Sequence, residues 1–95
     1  MMKVVKFGGS SLADAGQIQK AAAIIKAEAD RRYVVPSAPG KRFKDDIKVT
    51  DMLYQCYALA EKGEAFATQL AAIKDRYVSI LNGLSMPETL LDEEF

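Results

Sequence analysis

The chain has 95 residues, 49% hydrophobic and 27% charged, which suits one small globular domain and leaves no room for two. Lys plus Arg number 13 and Asp plus Glu number 13, so no net field draws the chain to nucleic acid or to an anionic membrane. With one cysteine, Cys56, and no histidine, an internal disulfide, a Cys–His metal site and a Cys–His catalytic pair are all excluded, and a reducing, cytoplasmic setting is expected.

Met1-Met2-Lys3-Val4-Val5-Lys6 contains no long apolar run, and no stretch approaches the roughly 20 apolar residues of a membrane span, so neither an export signal nor a membrane partner is expected. Met2 to Phe7 is Val-rich and stops at Gly8-Gly9, the pattern of a buried strand that ends in a tight turn. From Asp14 onward, Ile18, Ala21, Ala22, Ile25 and Ala29 fall at helical spacing, with Gln17, Lys20, Lys26 and Glu28 opposite them. Arg31 to Ser37 carries Tyr33-Val34-Val35 and then Pro36, whose missing N–H suits the end of a second strand.

Strand, helix and strand in this order make a βαβ unit with parallel pairing and a right-handed crossover, so the fold class is α/β. Ser37 to Lys48 is a polar loop with Pro39-Gly40 and the charges Lys41, Arg42, Lys44, Asp45 and Asp46, expected to be mobile. A helix with Met52, Leu53, Cys56, Tyr57 and Ala60 on one face follows, with Thr50 as candidate N-cap and Gly63 after its last turn. Phe66, Leu70, Ile73, Tyr77, Ile80, Leu81 and Leu84 then form a longer stripe, stopped by Asn82-Gly83 and expected to pack on the preceding helix. Ser85-Met86-Pro87-Glu88 matches a capping box, so one more helix should open near the carboxyl end.

Two parallel strands do not make the covered sheet that parallel pairing requires, so the sheet is expected to be incomplete. No internal repeat marks a second domain.

Two loops could hold chemistry. Lys6-Phe7-Gly8-Gly9-Ser10-Ser11 closes a strand and precedes a helix; adjacent glycines let successive N–H groups converge on an anion, and Lys6 adds a full charge. A plain tight turn with a solvated lysine explains the same residues about as well. It is neither a Walker loop nor a dinucleotide fingerprint, because G-x-x-x-x-G-K-[ST] and G-x-G-x-x-G are both missing. Val34-Val35-Pro36-Ser37-Ala38-Pro39-Gly40-Lys41-Arg42 is the second strand end, and in a parallel sheet both loops open on one edge. Lys41, Arg42 and Lys44 read best as a solvated loop, since Asp45-Asp46 offsets their field; Cys56, Tyr57 and Tyr77 read as core.

Lys-Phe-Gly-Gly-Ser-Ser, then Val-Val-x-Ser-Ala, then Thr50-Asp51-x-Leu53, in this order, resembles the aspartate kinase family of the amino-acid kinase superfamily. The resemblance covers nearly the whole chain as the amino-terminal portion of a kinase catalytic domain with an α/β sandwich fold, residues 1–95, with no second domain. It implies ATP with Mg2+ as cofactors and L-aspartate as the phosphoryl acceptor. It assigns Lys6 to the transferring phosphate as the catalytic residue, Gly8, Gly9 and Ser10 to the nucleotide, and Ser11, Ser37, Ala38 and Thr50 to the amino-acid substrate.

The chain departs from the family pattern in a longer charged loop from Pro39 to Lys48, in Pro36 where a valine-like residue is common, and in Ser10 and Leu12 where threonine and valine are common. The longer loop bears on the placement of Thr50, which a plain N-cap explains equally well. The family pattern further implies an acidic substrate-binding residue, an adenine pocket and ACT regulatory domains beyond Phe95, homo-oligomerisation of the complete protein, and little activity from these 95 residues alone. Two readings from other classes stand beside it: a phosphate-binding module built on Gly8-Gly9, and a helical interaction module that docks through the stripe containing Leu70 and Ile73. A sister amino-acid kinase with another carboxylate acceptor is the nearest rival of the same class.

Overall fold

The computed structural model describes residues 2–95. Strand β1 (Lys3–Phe7) leads through a 3-10 turn (Gly9–Leu12) into α1 (Ala15–Ala27), which returns to β2 (Arg31–Pro36). Helices α2 (Val49–Glu61) and α3 (Ala67–Gly83) follow, and a short 3-10 turn (Asp92–Glu94) closes the chain.

β1 and β2 pair in parallel as a two-stranded sheet, with Val5 opposite Val34, Lys6 opposite Val35 and Phe7 opposite Pro36. A register irregularity after Lys3 skips Arg32, so Val4 faces Tyr33. Alternation along β1 sends Val5 and Phe7 to the face covered by α1, where Phe7, Leu12 and Ala21 form a cluster with Val5, Ile18 and Ile25 around it. Val4 and Lys6, with their partners Tyr33 and Val35, occupy the other face, which is exposed.

Asp14 caps α1, its carboxylate accepting from the Gln17 N–H at 2.9 Å, a bond worth about 1 kcal/mol. Ala29, expected on the helix's apolar face, lies past its end.

Helix α3 joins the parts, packing on both α1 and α2. Its Ile73, Ile80 and Leu81 are buried, and Ile73 is 1% exposed, as is Val49 at the start of α2. The centre of the stripe is therefore used inside the fold, whereas Phe66 is exposed and Leu70, Tyr77 and Leu84 are half-buried.

α2 differs from expectation. Leu53 and Tyr57 are exposed, whereas Met52, Cys56 and Leu59 are half-buried, because α2 packs chiefly on α3 and presents a narrower stripe to it. Tyr57 is therefore not a core residue. Thr50 is not the N-cap either: Lys48 is, in extended conformation, and Thr50 sits inside the first turn of the helix.

Both long helices end in the same hydrogen-bonded motif, with a residue in the left-handed region just past the helix. After α2 this is Gly63 (φ 72°), with Gly63 N–H bonded to Ala60 and Glu64 N–H to Leu59. After α3 it is Ser85 (φ 58°), with Ser85 N–H bonded to Asn82 and Met86 N–H to Leu81. Ser85 therefore terminates α3 and cannot take the extended conformation of an N-cap. The helix expected after it does not form, and residues 87–94 run as short turns.

Gly83, expected as the helix stop, belongs to the helix. A Cβ there would lie 2.5 Å from the Cβ of Ala15, so this glycine sets the close approach of α3 to α1.

Candidate active site

β1 and β2 end side by side, and the carboxyl ends of parallel strands are where open α/β sheets bind ligands. The Ser37 N–H donates to the Phe7 carbonyl at 3.0 Å, so the Gly8–Ser11 and Ser37–Ala38 segments leave the sheet together.

A second bond follows, from the Gly40 N–H to the Gly9 carbonyl at 2.7 Å. A Cβ on Gly40 would meet the Gly9 carbonyl carbon at 2.5 Å, and one on Gly9 would meet the Gly40 Cα at 3.1 Å, so both glycines are needed for this approach. A third bond, Val49 N–H to Pro39 carbonyl at 2.9 Å, brings the start of α2 and Thr50 to the same place. Three segments distant in sequence are thus joined backbone to backbone.

Gly8 is different. Its φ of −74° and ψ of 172° are open to any residue, and a Cβ there would find nothing within 4 Å. Among the described residues no contact requires glycine at this position, and the lack of a side chain leaves the backbone open to close approach. The 3-10 turn starts next to it, and the N–H groups of Gly9 and Ser10 precede its first closing bond, from Ser11 N–H to the Gly8 carbonyl at 3.1 Å. Lys6 stands one residue before the end of β1 on the open face of the sheet, exposed and with no ion pair among the described residues. Ser10 and Ser11 are also exposed, while Ser37 and Ala38 are half-buried.

Two apolar hollows flank the joined segments. One of about 340 Å³ lies between Ser37, Ala38 and Pro39 on one side and Tyr77, Ile80 and Leu81 on the other. The second, about 440 Å³ and shallow, is lined by Thr50, Leu53, Tyr54 and Tyr57. Lys6 lies outside both.

The loop from Pro39 to Lys48 is anchored. Pro39 and Gly40 are buried, and Arg42 is tied back to Asp46, with Nε at 2.6 Å from one carboxylate oxygen and Nη2 at 2.9 Å from the other. Those hydrogen bonds hold the Asp46 carboxyl well below the usual carboxylate range, against burial, which acts upward. Arg42 is spent inside the loop and is not free to steer an anion.

The structure adds Arg76, which the sequence reading passed over. Arg76 is 4% exposed, and from α3 its guanidinium reaches the carbonyls of Ile47 at 2.6 Å, Ala13 at 3.2 Å and Gly40. The available signal was position: Arg76 interrupts the apolar stripe three residues after Ile73 and four before Ile80, where a charge has no reason to lie unless it is held.

Residues 1–88 match the model of the amino acid kinase family. The chain belongs to that family. It is 43% identical over 93 residues to aspartokinase 3 of Bacillus subtilis (strain 168), a match that takes in 97% of this chain and 20% of the relative. Its fold superposes on the crystal structure of Clostridium acetobutylicum aspartate kinase with a TM-score of 0.84 at 46% identity, covering 88% of this chain and 19% of that one. The chain thus spans about a fifth of the length of either relative. Among the described residues no helix is long and apolar enough to cross a membrane.

Proposed function

We propose that this chain forms the amino-terminal part of a catalytic domain that transfers the γ-phosphoryl group of ATP to the side-chain carboxylate of L-aspartate. The observation that carries the proposal is the joining of three segments, Gly8–Ser11, Ser37–Ala38 and the start of α2, by the Gly9–Gly40 and Pro39–Val49 hydrogen bonds at the carboxyl ends of the parallel strands. The names of the relatives supply the substrate.

The chemistry brings one anion to another. A carboxylate oxygen attacks the γ-phosphorus, the bond from that phosphorus to the bridging oxygen breaks, and ADP leaves with the electron pair; no proton moves. Catalysis of this step is positioning and charge stabilisation. Lys6 places a cation beside the transferring group, and the Gly8–Gly9–Ser10 backbone admits the phosphates closely; each such donor is typically worth about 3 kcal/mol. Ser11, Ser37, Ala38 and Thr50 orient the amino acid. The loss of the N-cap explanation for Thr50 leaves its hydroxyl available for that role. Mg2+ bound with the nucleotide phosphates would neutralise part of their charge. Among the described residues no three Asp, Glu, Cys or His side chains gather into a metal cage, so no step is assigned to a metal held by this chain.

The test is a chimera in which this chain replaces the matched fifth of the Bacillus subtilis relative, with acyl phosphate trapped by hydroxylamine. Product that needs aspartate and falls at least a hundredfold in Lys6→Ala supports the assignment. Product with glutamate in place of aspartate gives the sister-kinase reading, and ATP binding without product gives the phosphate-binding module. The 95-residue chain alone is expected to yield no product, because it supplies only one wall of the site.

A further inference from the structure

We propose that Arg76 is a positioning residue for phosphoryl transfer, a single guanidinium on α3 that holds the phosphate-side and acceptor-side segments in one register. The proposal deepens the phosphoryl-transfer reading and rests on it.

The three carbonyls that Arg76 binds come one from each segment. Ala13 closes the turn that carries Ser10 and Ser11, Gly40 follows Ser37-Ala38-Pro39, and Ile47 precedes the helix start that carries Thr50. Nη1 serves Ile47 and Nη2 serves both Ala13 and Gly40. The same Gly40 donates its N–H to Gly9, so a shift of the guanidinium is passed directly to the glycine loop.

Stability alone does not call for a charge here. A buried guanidinium loses its hydration, and a well-packed apolar side chain in its place is often neutral or stabilising. Burial is the main influence lowering the Arg76 pKa, and repulsion from Arg42 is next; the Asp46 carboxylate, 3.9 Å away, works the other way. Nε is buried with no partner. What a guanidinium provides that a hydrocarbon does not is a rigid planar fork directed at several acceptors at once, and lysine does not reproduce that geometry. A misplacement of about 1 Å in reacting groups is enough to cost about a hundredfold in rate.

The experiment compares Arg76→Lys, which keeps the charge, and Arg76→Met, which keeps the volume, with the parent and with Lys6→Ala. In the 95-residue chain, amide exchange at Gly40 and Val49 is expected to speed at least tenfold in both variants while the amides in the middle of α1 hold. In the chimera, at a temperature where circular dichroism shows each variant fully folded, kcat is expected to fall at least tenfold with both ATP and aspartate saturating. Folded variants with unchanged kcat, unchanged KM and unchanged Gly40 exchange would overturn the proposal, however far their melting temperatures drop. Failure of both variants to fold would overturn it too, by making Arg76 a core residue and nothing more. If the parent chimera yields no product, the phosphoryl-transfer reading fails, and the positioning of an active site by Arg76 falls with it; exchange at Gly40 then reports only whether Arg76 fixes the loop.

Discussion

Gly9 and Gly40 meet backbone to backbone, the Gly40 N–H donating to the Gly9 carbonyl at 2.7 Å, with no space for a methyl group on Gly40. Its Cβ would lie 2.5 Å from the Gly9 carbonyl carbon and 2.8 Å from the Ser10 nitrogen, contacts that only a backbone shift relieves. Gly40→Ala is therefore expected to destabilise the chain by about 1–3 kcal/mol, read as a lower urea midpoint, and to reduce turnover in the chimera by spreading the two loops. An unchanged midpoint would show that the loops separate freely.

Gly8→Ala should do the opposite to stability and the same to function. With ordinary dihedrals and open space beside it, the substitution narrows the unfolded ensemble and adds up to about 0.4–1 kcal/mol. On the proposed reading the methyl group would stand where the phosphates approach the backbone, so calorimetric ATP affinity of the chimera should fall at least tenfold. Retained affinity would move the nucleotide away from this loop.

Acid should loosen the clamped loop through Asp46. Its folded pKa is depressed by the hydrogen bonds from Arg42, so its contribution to stability is present above the unfolded value of about 3.9 and is lost as pH falls below that toward the folded value. The urea unfolding free energy at about pH 3 should therefore be lower than at pH 6, and Asp46→Asn should shrink that difference. An equal difference in Asp46→Asn would assign the acid sensitivity elsewhere.

Gly83→Ala sets two effects against each other. Alanine in a helix interior is favoured over glycine by about 1 kcal/mol, but the new methyl would lie 2.5 Å from the Cβ of Ala15, and overpacking of that kind costs about 1–3 kcal/mol. The clash is expected to win, lowering the thermal midpoint. A raised midpoint would mean that α1 and α3 part without penalty.

Period and punctuation made the βαβ unit and the helices α2 and α3 legible: Pro36 does end β2, and Gly63 does lie just past α2. The same cues misplaced Gly83 and Ser85, since a glycine near a helix end serves equally to stop a helix or to let another approach. Which it does depends on Ala15, a residue distant in sequence. Thr50 was misread as a cap because the helix already begins at Val49, and Tyr57 as core because helical spacing says which residues share a face but not how wide a face the neighbour covers. At the candidate site the motif residues could be read, but not how they are fastened. Gly40 looked like half of a turn and Arg76 drew no notice, and the contacts that give them a role lie between segments remote from each other along the chain.

Because Gly40 and Ile47 both place their carbonyls on Arg76, residues 41–46 form an excursion pinched shut at its base. Lengthening such an excursion changes only the entropy of closing it, by about 0.6 kcal/mol for each doubling, and leaves its two feet where they were. The fold can thus take added residues near the exposed Lys44 while Asp46 stays beside Arg76 and Ser37 and Thr50 keep their spacing.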